Sequence, residues 1–239
     1  MCGRYVTKDQ RALERELPFL DIKDWPPFDA SYNVAPTQLA PVAIATVDGH
    51  VCRRMRFGLI PFFARGVPGP YSTINARVET VETAPSYRGP WKRGQRCLVL
   101  ASGFYEWHLL ADGKSKQPYF IRPADQESFA FAGLWDTSKA EDGTVTESFT
   151  IITLPASPLM AGIHNTNKRQ PAMLTPEGCR LWLGGSAAQA RALLIAYPDE
   201  LIVAWPVSTR VNSPKNNDDK LLEPLSHPDS GATVTVTPP

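Results

Sequence analysis

The stretch RCLVLASGFYEW, residues 96–107, decides the fold class, because its almost wholly apolar first half predicts a buried β-strand. A loop holding Asp112-Gly113 follows, and residues 117–122 form a second strand-like segment, so the two predict a β-hairpin. The pattern occurs twice more, at residues 41–57 around Asp48-Gly49 and at residues 129–154 around Asp142-Gly143. The sequence therefore predicts a framework of antiparallel β-sheets.

Helices are predicted to be fewer and to lie outside the sheets. Thr7 with Gln10 three residues later is a capping box, which predicts a helix that runs through Leu17. Thr175 followed by Pro176 has the pattern of a helix N-cap and first helical residue, with an end near residue 184. The remaining predicted elements are helices at residues 158–163 and 186–197 and a strand at residues 201–207. The predicted class is α+β, with a few peripheral helices.

Length and composition favour one domain. With 239 residues, 43% of them hydrophobic, the chain can bury one sizeable core without a second domain. We predict a single domain at residues 1–225. Residues 226–239 hold too little apolar sequence between prolines to pack, so we predict a flexible C-terminal tail there.

The cysteines and the charge pattern favour a soluble, cytoplasmic protein. Charged residues interrupt residues 1–20, so no secretory signal is predicted, and no later apolar run reaches membrane-spanning length. The cysteines lie far apart with no Cys-x-x-Cys pair, which argues against a zinc ribbon or a redox dithiol and fits a reducing compartment; they are Cys2, Cys52, Cys97 and Cys179.

Cys2 is the first candidate for chemistry, because it directly follows the initiator Met1. Removal of the methionine, which is usual before a small side chain, would give one residue both a free α-amine and a thiol. These groups have reference pKa values of roughly 8 and roughly 8.5, so both are partly nucleophilic near neutral pH. The amine can condense with an aldehyde to an imine, and the thiol can close on the same carbon to form a five-membered thiazolidine.

The net charge of the chain is only +1, but basic residues are concentrated in residues 51–96. This segment has nine Arg or Lys side chains against two Glu, a local net charge of +7, which leaves −6 for the remainder. A solvated basic face would explain the charge alone equally well. Interleaved aromatic residues favour instead a surface that holds phosphates and stacks the bases of a single strand; they are Phe57, Phe62, Phe63, Tyr71, Tyr87 and Trp91.

Three other residues are candidates for the same site. Alternation along the strand puts Glu106 on the opposite face from its neighbours, and enclosure of that face would raise its pKa into the range of general acid–base catalysis. Asn75 can donate and accept hydrogen bonds beside Arg77, whose guanidinium suits phosphate. His164 can move protons. Each also has a structural explanation: a strand-end salt bridge, a turn, or a packed histidine. We predict no metal or other cofactor, since no metal partner for His164 is suitably spaced among His50, His108 and His227.

Six short motifs follow one another in a fixed order along the chain. They are Met1-Cys2-Gly3-Arg4, YNVAPT at residues 32–37, GLIP at 58–61, INARVET at 74–80, GFYEW at 103–107 and IHNT at 163–166. Together they resemble the SRAP (SOS response-associated peptidase) family, and the resemblance extends from residue 1 to about residue 225. It implies a barrel-like core, a monomer, and a protein that captures abasic sites in single-stranded DNA covalently through its N-terminal cysteine, which protects the damaged DNA.

The resemblance also implies roles for single residues. Cys2 matches the nucleophile that forms a thiazolidine with the ring-opened deoxyribose aldehyde, and Asn75, Glu106 and His164 match the other active-site positions. The positions that match DNA contacts are Gly3, Arg4, Asn33, Phe63 and Arg77. The imine intermediate would also permit weak abasic-site lyase activity and slow reversal, and autocatalytic processing at Cys2 would account for the peptidase in the family name. A bacterial protein of this kind would associate with the nucleoid.

The chain departs from the family pattern at a few positions. Phe63 stands where family members commonly carry tryptophan, so stacking there is expected to be weaker. Ser102 and Gln170 replace the usual aspartate and methionine, which affects local packing more than chemistry.

Two other functions remain open from the sequence. Met-Cys-Gly also begins glutamine amidotransferases of the N-terminal-nucleophile type, in which the thiol attacks a side-chain amide and the α-amine acts as base. That function needs a glutamine-binding constellation and usually a synthase domain, and the sequence indicates neither. The other alternative is a noncatalytic single-strand-binding module that uses the basic segment alone, for which salt-sensitive and fully reversible binding would be the sign.

Overall fold

The computed structural model describes residues 2–8 and 10–225, which form two β-sheets surrounded by short helices. The strands are β1 (Tyr5–Thr7), β2 (Ser31–Val34), β3 (Leu39–Thr46), β4 (Gly49–Phe57), β5 (Asn75–Arg77), β6 (Arg96–Ala101), β7 (Gly103–Leu109), β8 (Lys116–Pro123), β9 (Phe129–Lys139), β10 (Val145–Pro155), β11 (Arg169–Pro171), β12 (Met173–Leu174) and β13 (Ile202–Pro206). The α-helices are α1 (Gln10–Glu16), α2 (Pro85–Lys92), α3 (Pro158–Ile163), α4 (Pro176–Gly184) and α5 (Ala187–Ala192), and short 3-10 helices connect them.

Five strands close into a barrel. Strand β3 pairs antiparallel with β4 and β6, β6 pairs with β9, and β9 pairs with β10. The circuit is closed by a parallel pairing of β10 with β4, in which Phe149 lies opposite Phe57. A second parallel pairing joins β5 to the later part of β10. The predicted α+β class with a barrel-like core is confirmed, whereas the parallel closure was not foreseen.

The second sheet is antiparallel and has the order β13-β8-β7-β1-β2. Strands β6 and β7, which the sequence predicted as one strand at residues 96–107, belong to different sheets. The break falls at Ser102, whose backbone N–H donates to the carbonyl of Val6, in strand β1 of the second sheet, at 2.7 Å. Gly103 follows, with the ring of Phe120 so close that a Cβ atom there would overlap it.

Alternation along the barrel strands separates two apolar layers. On β6, Cys97 and Val99 pack with residues of the second sheet, whereas Leu98 and Leu100 pack with the helices. Trp182 of α4 lies in the helical layer and donates its indole N–H to the carbonyl of Cys97 at 3.0 Å. The barrel is therefore covered by the second sheet on one side and by helices on the other.

The three predicted hairpins are confirmed as β3–β4, β7–β8 and β9–β10. Helices α3 and α4 begin where the sequence indicated, and the hydroxyl of Thr175 caps α4 as predicted. The predicted capping box of Thr7 is wrong, because Thr7 ends strand β1 and the helix begins at Gln10. Helix α5 is shorter than predicted, and α2, which contains Gly89 and Pro90, was missed because these residues disfavour helices. The tail at residues 226–239 lies outside the described residues.

We expect Gly103→Ala to destabilise the fold, because the added Cβ would overlap the ring of Phe120 and lie 3.1 Å from the carbonyl oxygen of Ile121. The free energy of unfolding, measured by urea denaturation, should fall by about 1–3 kcal/mol. Gly69→Ala is the matched control, since its Cβ would meet no atom within 4 Å, and its effect should stay within about 0.5 kcal/mol. Equal effects of the two substitutions would contradict the proposed steric constraint.

Candidate active site

The structure brings Cys2 and Asn75 into direct contact. Cys2 precedes β1, and Asn75 is the first residue of β5. The side-chain amide of Asn75 donates to the carbonyl oxygens of Cys2 and Ile74, each at 3.1 Å. Since a carbonyl oxygen only accepts, these two bonds fix the orientation of the amide. The Oδ1 atom of Asn75 is buried with no hydrogen-bond partner among residues 2–8 and 10–225, so it remains able to accept a bond beside Cys2.

Glu106 and His164 lie together in the protein interior. The carboxylate Oε2 of Glu106 is 3.8 Å from Nδ1 of His164, and the two residues are 1% and 4% exposed. Strand β7 carries Glu106 next to the N-terminal segment, because the N–H of Tyr105 donates to the carbonyl of Arg4 at 3.0 Å. The charge of Glu106 also acts on the Cys2 thiol, whose pKa it raises. The predicted enclosure of Glu106 is therefore present, and it lies within electrostatic reach of Cys2.

Burial sets the protonation of these groups. It raises the pKa of Glu106 from 4.5 to about 7. Burial, followed by the charge of Glu106, raises the pKa of the Cys2 thiol well above its usual value, against the opposing effect of the backbone N–H of Arg4. Burial also lowers the pKa of His164, against the opposing hydrogen bond to Arg169. Near neutral pH the thiol and the imidazole are therefore neutral, and Glu106 can take up or release a proton.

The imidazole of His164 is held in one tautomer. Its Nδ1 atom lies 2.9 Å from the carbonyl oxygen of Arg169, and because that oxygen only accepts, Nδ1 carries the hydrogen. Arg169 is itself fixed by a two-bond ion pair with Glu79, at 2.5 and 3.0 Å, and by the carbonyl of Thr153 at 2.7 Å. In the neutral ring the acceptor lone pair is therefore on Nε2.

Two of the predicted DNA-contact residues are engaged inside the protein. Asn33 is 1% exposed, and its amide donates to the carbonyls of Val211, Ser213 and Asn216 at 2.9–3.2 Å. The guanidinium of Arg4 donates to Asn33, Val211 and Asn212, which leaves two of its five N–H groups for another partner. Both residues thus fix the segment at residues 211–216. Their DNA contacts, like that of the partly buried Gly3, stay predictions.

Phe62 and Phe63 are 57% and 51% exposed, and their rings contact each other edge to face with centroids 5.6 Å apart; we call this pair the aromatic patch. Tyr71 is 85% exposed. The guanidinium of Arg93 lies 5.3 Å from the ring centre of Phe62 and pairs with Asp136, which also accepts from the N–H of Phe62. Arg77 is exposed at the end of β5. The sequence had grouped other aromatic residues with the patch, and that grouping is wrong for Phe57, Tyr87 and Trp91, which are buried in the core.

Reasoning from the sequence missed His108 and Asn165, which contact the elements carrying Glu106 and His164. The signal for His108 was available, because it shares a strand face with Glu106 two residues earlier. No such signal was available for Asn165, because it stands in a polar run whose partners lie elsewhere in the chain.

Among the residues that the structure describes, no three His, Cys, Asp or Glu side chains are grouped to hold a metal ion. No helix in the same part of the chain is long and apolar enough to cross a membrane.

The chain is similar to proteins of one family. A family model, SOS response associated peptidase (SRAP), matches residues 1–214. The chain is 35% identical to Abasic site processing protein YoqW of Bacillus subtilis (strain 168), over 93% of this chain and 99% of that protein. It is 34% identical to Abasic site processing protein HMCES of Gallus gallus, over 82% of this chain and 66% of that protein. A crystal structure of a protein from Bacteroides thetaiotaomicron superposes with a TM-score of 0.76 at 26% identity, and covers 94% of this chain and 100% of that chain.

We expect the stability of Glu106→Gln, relative to that of the wild type, to increase with pH. The raised pKa of Glu106, about 7 against 4.5, means that the folded state binds the proton more tightly than the unfolded state. Wild-type stability is therefore lost as pH rises from about 4.5 through about 7, by about 3 kcal/mol in total. Glutamine does not ionise, so the stability of the variant minus that of the wild type should grow by this amount between pH 4 and pH 8.

Urea denaturation across this pH range measures the difference, with Glu141→Gln, at an exposed carboxylate, as the matched control. A difference that does not change with pH would show that Glu106 is not enclosed as described.

Proposed function

Because the chain belongs to the SOS response-associated peptidase (SRAP) family, we propose that it captures abasic sites in single-stranded DNA through a thiazolidine link to Cys2, after removal of Met1. The observation that carries this proposal is that Cys2 contacts Asn75 and lies within electrostatic reach of Glu106, which is itself paired with His164. The names of the curated relatives, abasic site processing proteins, support the same substrate.

The proposed reaction needs only the aldehyde form of the abasic sugar and the two groups of Cys2. The α-amine adds to C1′ of the aldehyde to give a carbinolamine, which loses its hydroxyl as water and becomes an iminium ion. The thiol sulfur then bonds to C1′, the iminium π electrons return to nitrogen, and the thiol proton leaves to a base. One water is released and nothing is oxidised or reduced.

The neutral thiol favours the amine as the first nucleophile. Glu106 suits the proton transfers, since a pKa of about 7 lets the carboxyl group protonate the leaving hydroxyl and then accept the thiol proton. The neutral imidazole of His164, 3.8 Å from Glu106, is suited to a second proton transfer through Nε2. Asn75 holds the carbonyl of Cys2, and its Oδ1 is suited to accept a hydrogen bond from the α-amine or from a sugar hydroxyl. These contacts would keep amine, thiol and C1′ in reacting geometry.

The DNA strand is proposed to run past the aromatic patch, with bases stacked on Phe63 and its neighbours. We propose that the flanking phosphates are held by Arg77, two residues after Asn75, and by the remaining N–H groups of Arg4. The capture would protect the damaged strand. Proton abstraction from the iminium ion would give weak lyase activity, and ring opening would reverse the link slowly.

The thiazolidine proposal makes separate predictions for the amine and the thiol. Mature wild type mixed with an abasic-site oligonucleotide should give an adduct that survives a denaturing gel. Cys2→Ala and Cys2→Ser should give no such adduct, because neither can close the sulfur ring. With borohydride added, both variants should still be trapped, since each keeps the amine that forms the imine. A form that retains Met1 should fail to give the stable adduct.

The same experiment with wild type and the Cys2 variants also tests the alternative functions. A stable adduct of equal yield from Cys2→Ala would defeat the thiazolidine proposal. Fully reversible, salt-sensitive retention of wild type with no adduct would favour the noncatalytic single-strand-binding module instead.

The aromatic patch should contribute to affinity for the strand. We expect Phe63→Ala to raise the oligonucleotide concentration for half-maximal crosslinking about tenfold, because base stacking on an aromatic ring contributes about 1–3 kcal/mol. The maximal rate should change little. Ile195→Ala, at another exposed apolar side chain, is the control and should leave both quantities unchanged. A Phe63→Ala variant with wild-type half-saturation would exclude stacking at this ring.

A further inference from the structure

Strand β7, which carries Glu106, continues to Leu109, where it meets the turn that follows His164. The side-chain amide of Asn165 makes two hydrogen bonds to the backbone of Leu109: its Oδ1 accepts from the N–H at 2.9 Å, and its Nδ2 donates to the carbonyl at 2.9 Å. This pair reproduces the two bonds that a neighbouring strand residue would form. It ties the residue next to His164 to the strand that holds Glu106.

A second contact joins the same two elements. Nδ1 of His108 lies 2.8 Å from the carbonyl oxygen of Gly162, within α3 and two residues before His164. The carbonyl accepts, so Nδ1 of His108 is the donor. Residues on both sides of His164 are therefore fastened to consecutive residues of β7.

Apart from these contacts, the turn is held by backbone bonds at Lys168, whose N–H donates to the carbonyl of His164 at 3.0 Å and whose carbonyl accepts from the N–H of Ala156 at 2.9 Å. Residues 166–168 are exposed, and Lys168 has φ +47°, a left-handed conformation that is unfavourable for a residue with a side chain. Exposed turns with few buried contacts open easily. The carbonyl of Arg169, which fixes the imidazole of His164, lies directly beyond this turn.

We propose that Asn165 is a positioning residue that keeps the imidazole of His164 beside Glu106 by fastening the turn to β7. The amide is needed for this task, because it both donates and accepts. Aspartate could accept from the N–H of Leu109 but could not donate to its carbonyl, and alanine could do neither. The geometric part of the proposal stands without DNA, and its catalytic consequence rests on the proposed function.

The direct test is the ¹⁵N NMR spectrum of the His164 ring in DNA-free protein, assigned by loss of the signal in His164→Gln. Wild type should show a single tautomer with the hydrogen on Nδ1. Asn165→Ala should show a mixture of tautomers and a changed ring pKa, and Asn165→Asp should show the same in weaker form. Asn167→Ala, in the same exposed turn, should keep the wild-type spectrum. A wild-type spectrum in Asn165→Ala would overturn the proposal.

The consequence for the reaction is tested by single-turnover crosslinking in a double-mutant cycle with Glu106→Gln. Asn165→Ala should lower the maximal rate about tenfold in the wild-type background without changing the half-saturating DNA concentration. In the Glu106→Gln background the same change should cost less than about twofold, because the pair it positions is already broken. An equal loss in both backgrounds would overturn the catalytic role. Absence of crosslinking in wild type would instead defeat the proposed function, and the NMR result would still decide the positioning role.

Discussion

The passage of the chain from the barrel into the second sheet at Ser102 and Gly103 is the constraint on which the candidate site depends. Without that change of sheet, β7 would continue along the barrel wall, and Glu106 would not reach the N-terminal segment. The passage is fixed by the backbone bond from Ser102 to Val6 and by the ring of Phe120 against Gly103. Those contacts place the strand carrying the carboxyl group beside the strand that follows Cys2.

Desolvation is the physical source of the reactivity that we propose. The same burial keeps the thiol protonated, keeps the imidazole neutral and moves the pKa of Glu106 to about 7. The proposed site needs no activated thiolate. Because the thiol is neutral, the α-amine attacks first and the sulfur closes the ring afterwards. Burial of the Glu106 carboxyl group lowers the stability of the folded state at high pH. Such a loss of stability is common where a site is arranged for activity.

The sequence predicted the class, the three hairpins and the residues that meet at the site, because alternation, turn dipeptides and motif order are local signals. It did not predict the parallel pairing of β10 with β4, since nothing local distinguishes it from an antiparallel one. It also misassigned Phe57, Tyr87 and Trp91, because exposure depends on which layer covers a face. The contacts of Asn33 and Asn165 join residues far apart in the chain, so no window of sequence could reveal them.

The joining of Arg4 and Asn33 to residues 211–216 has a consequence for biosynthesis. These partners lie 178 and 207 residues further along the chain, so Arg4 and Asn33 cannot make their final contacts until residues 211–216 have been synthesised. Cys2 is fully enclosed in the finished fold, so the proposed removal of Met1 would act on this segment before those contacts form. The proposed maturation step and the assembly of the candidate site would thus be separated in time.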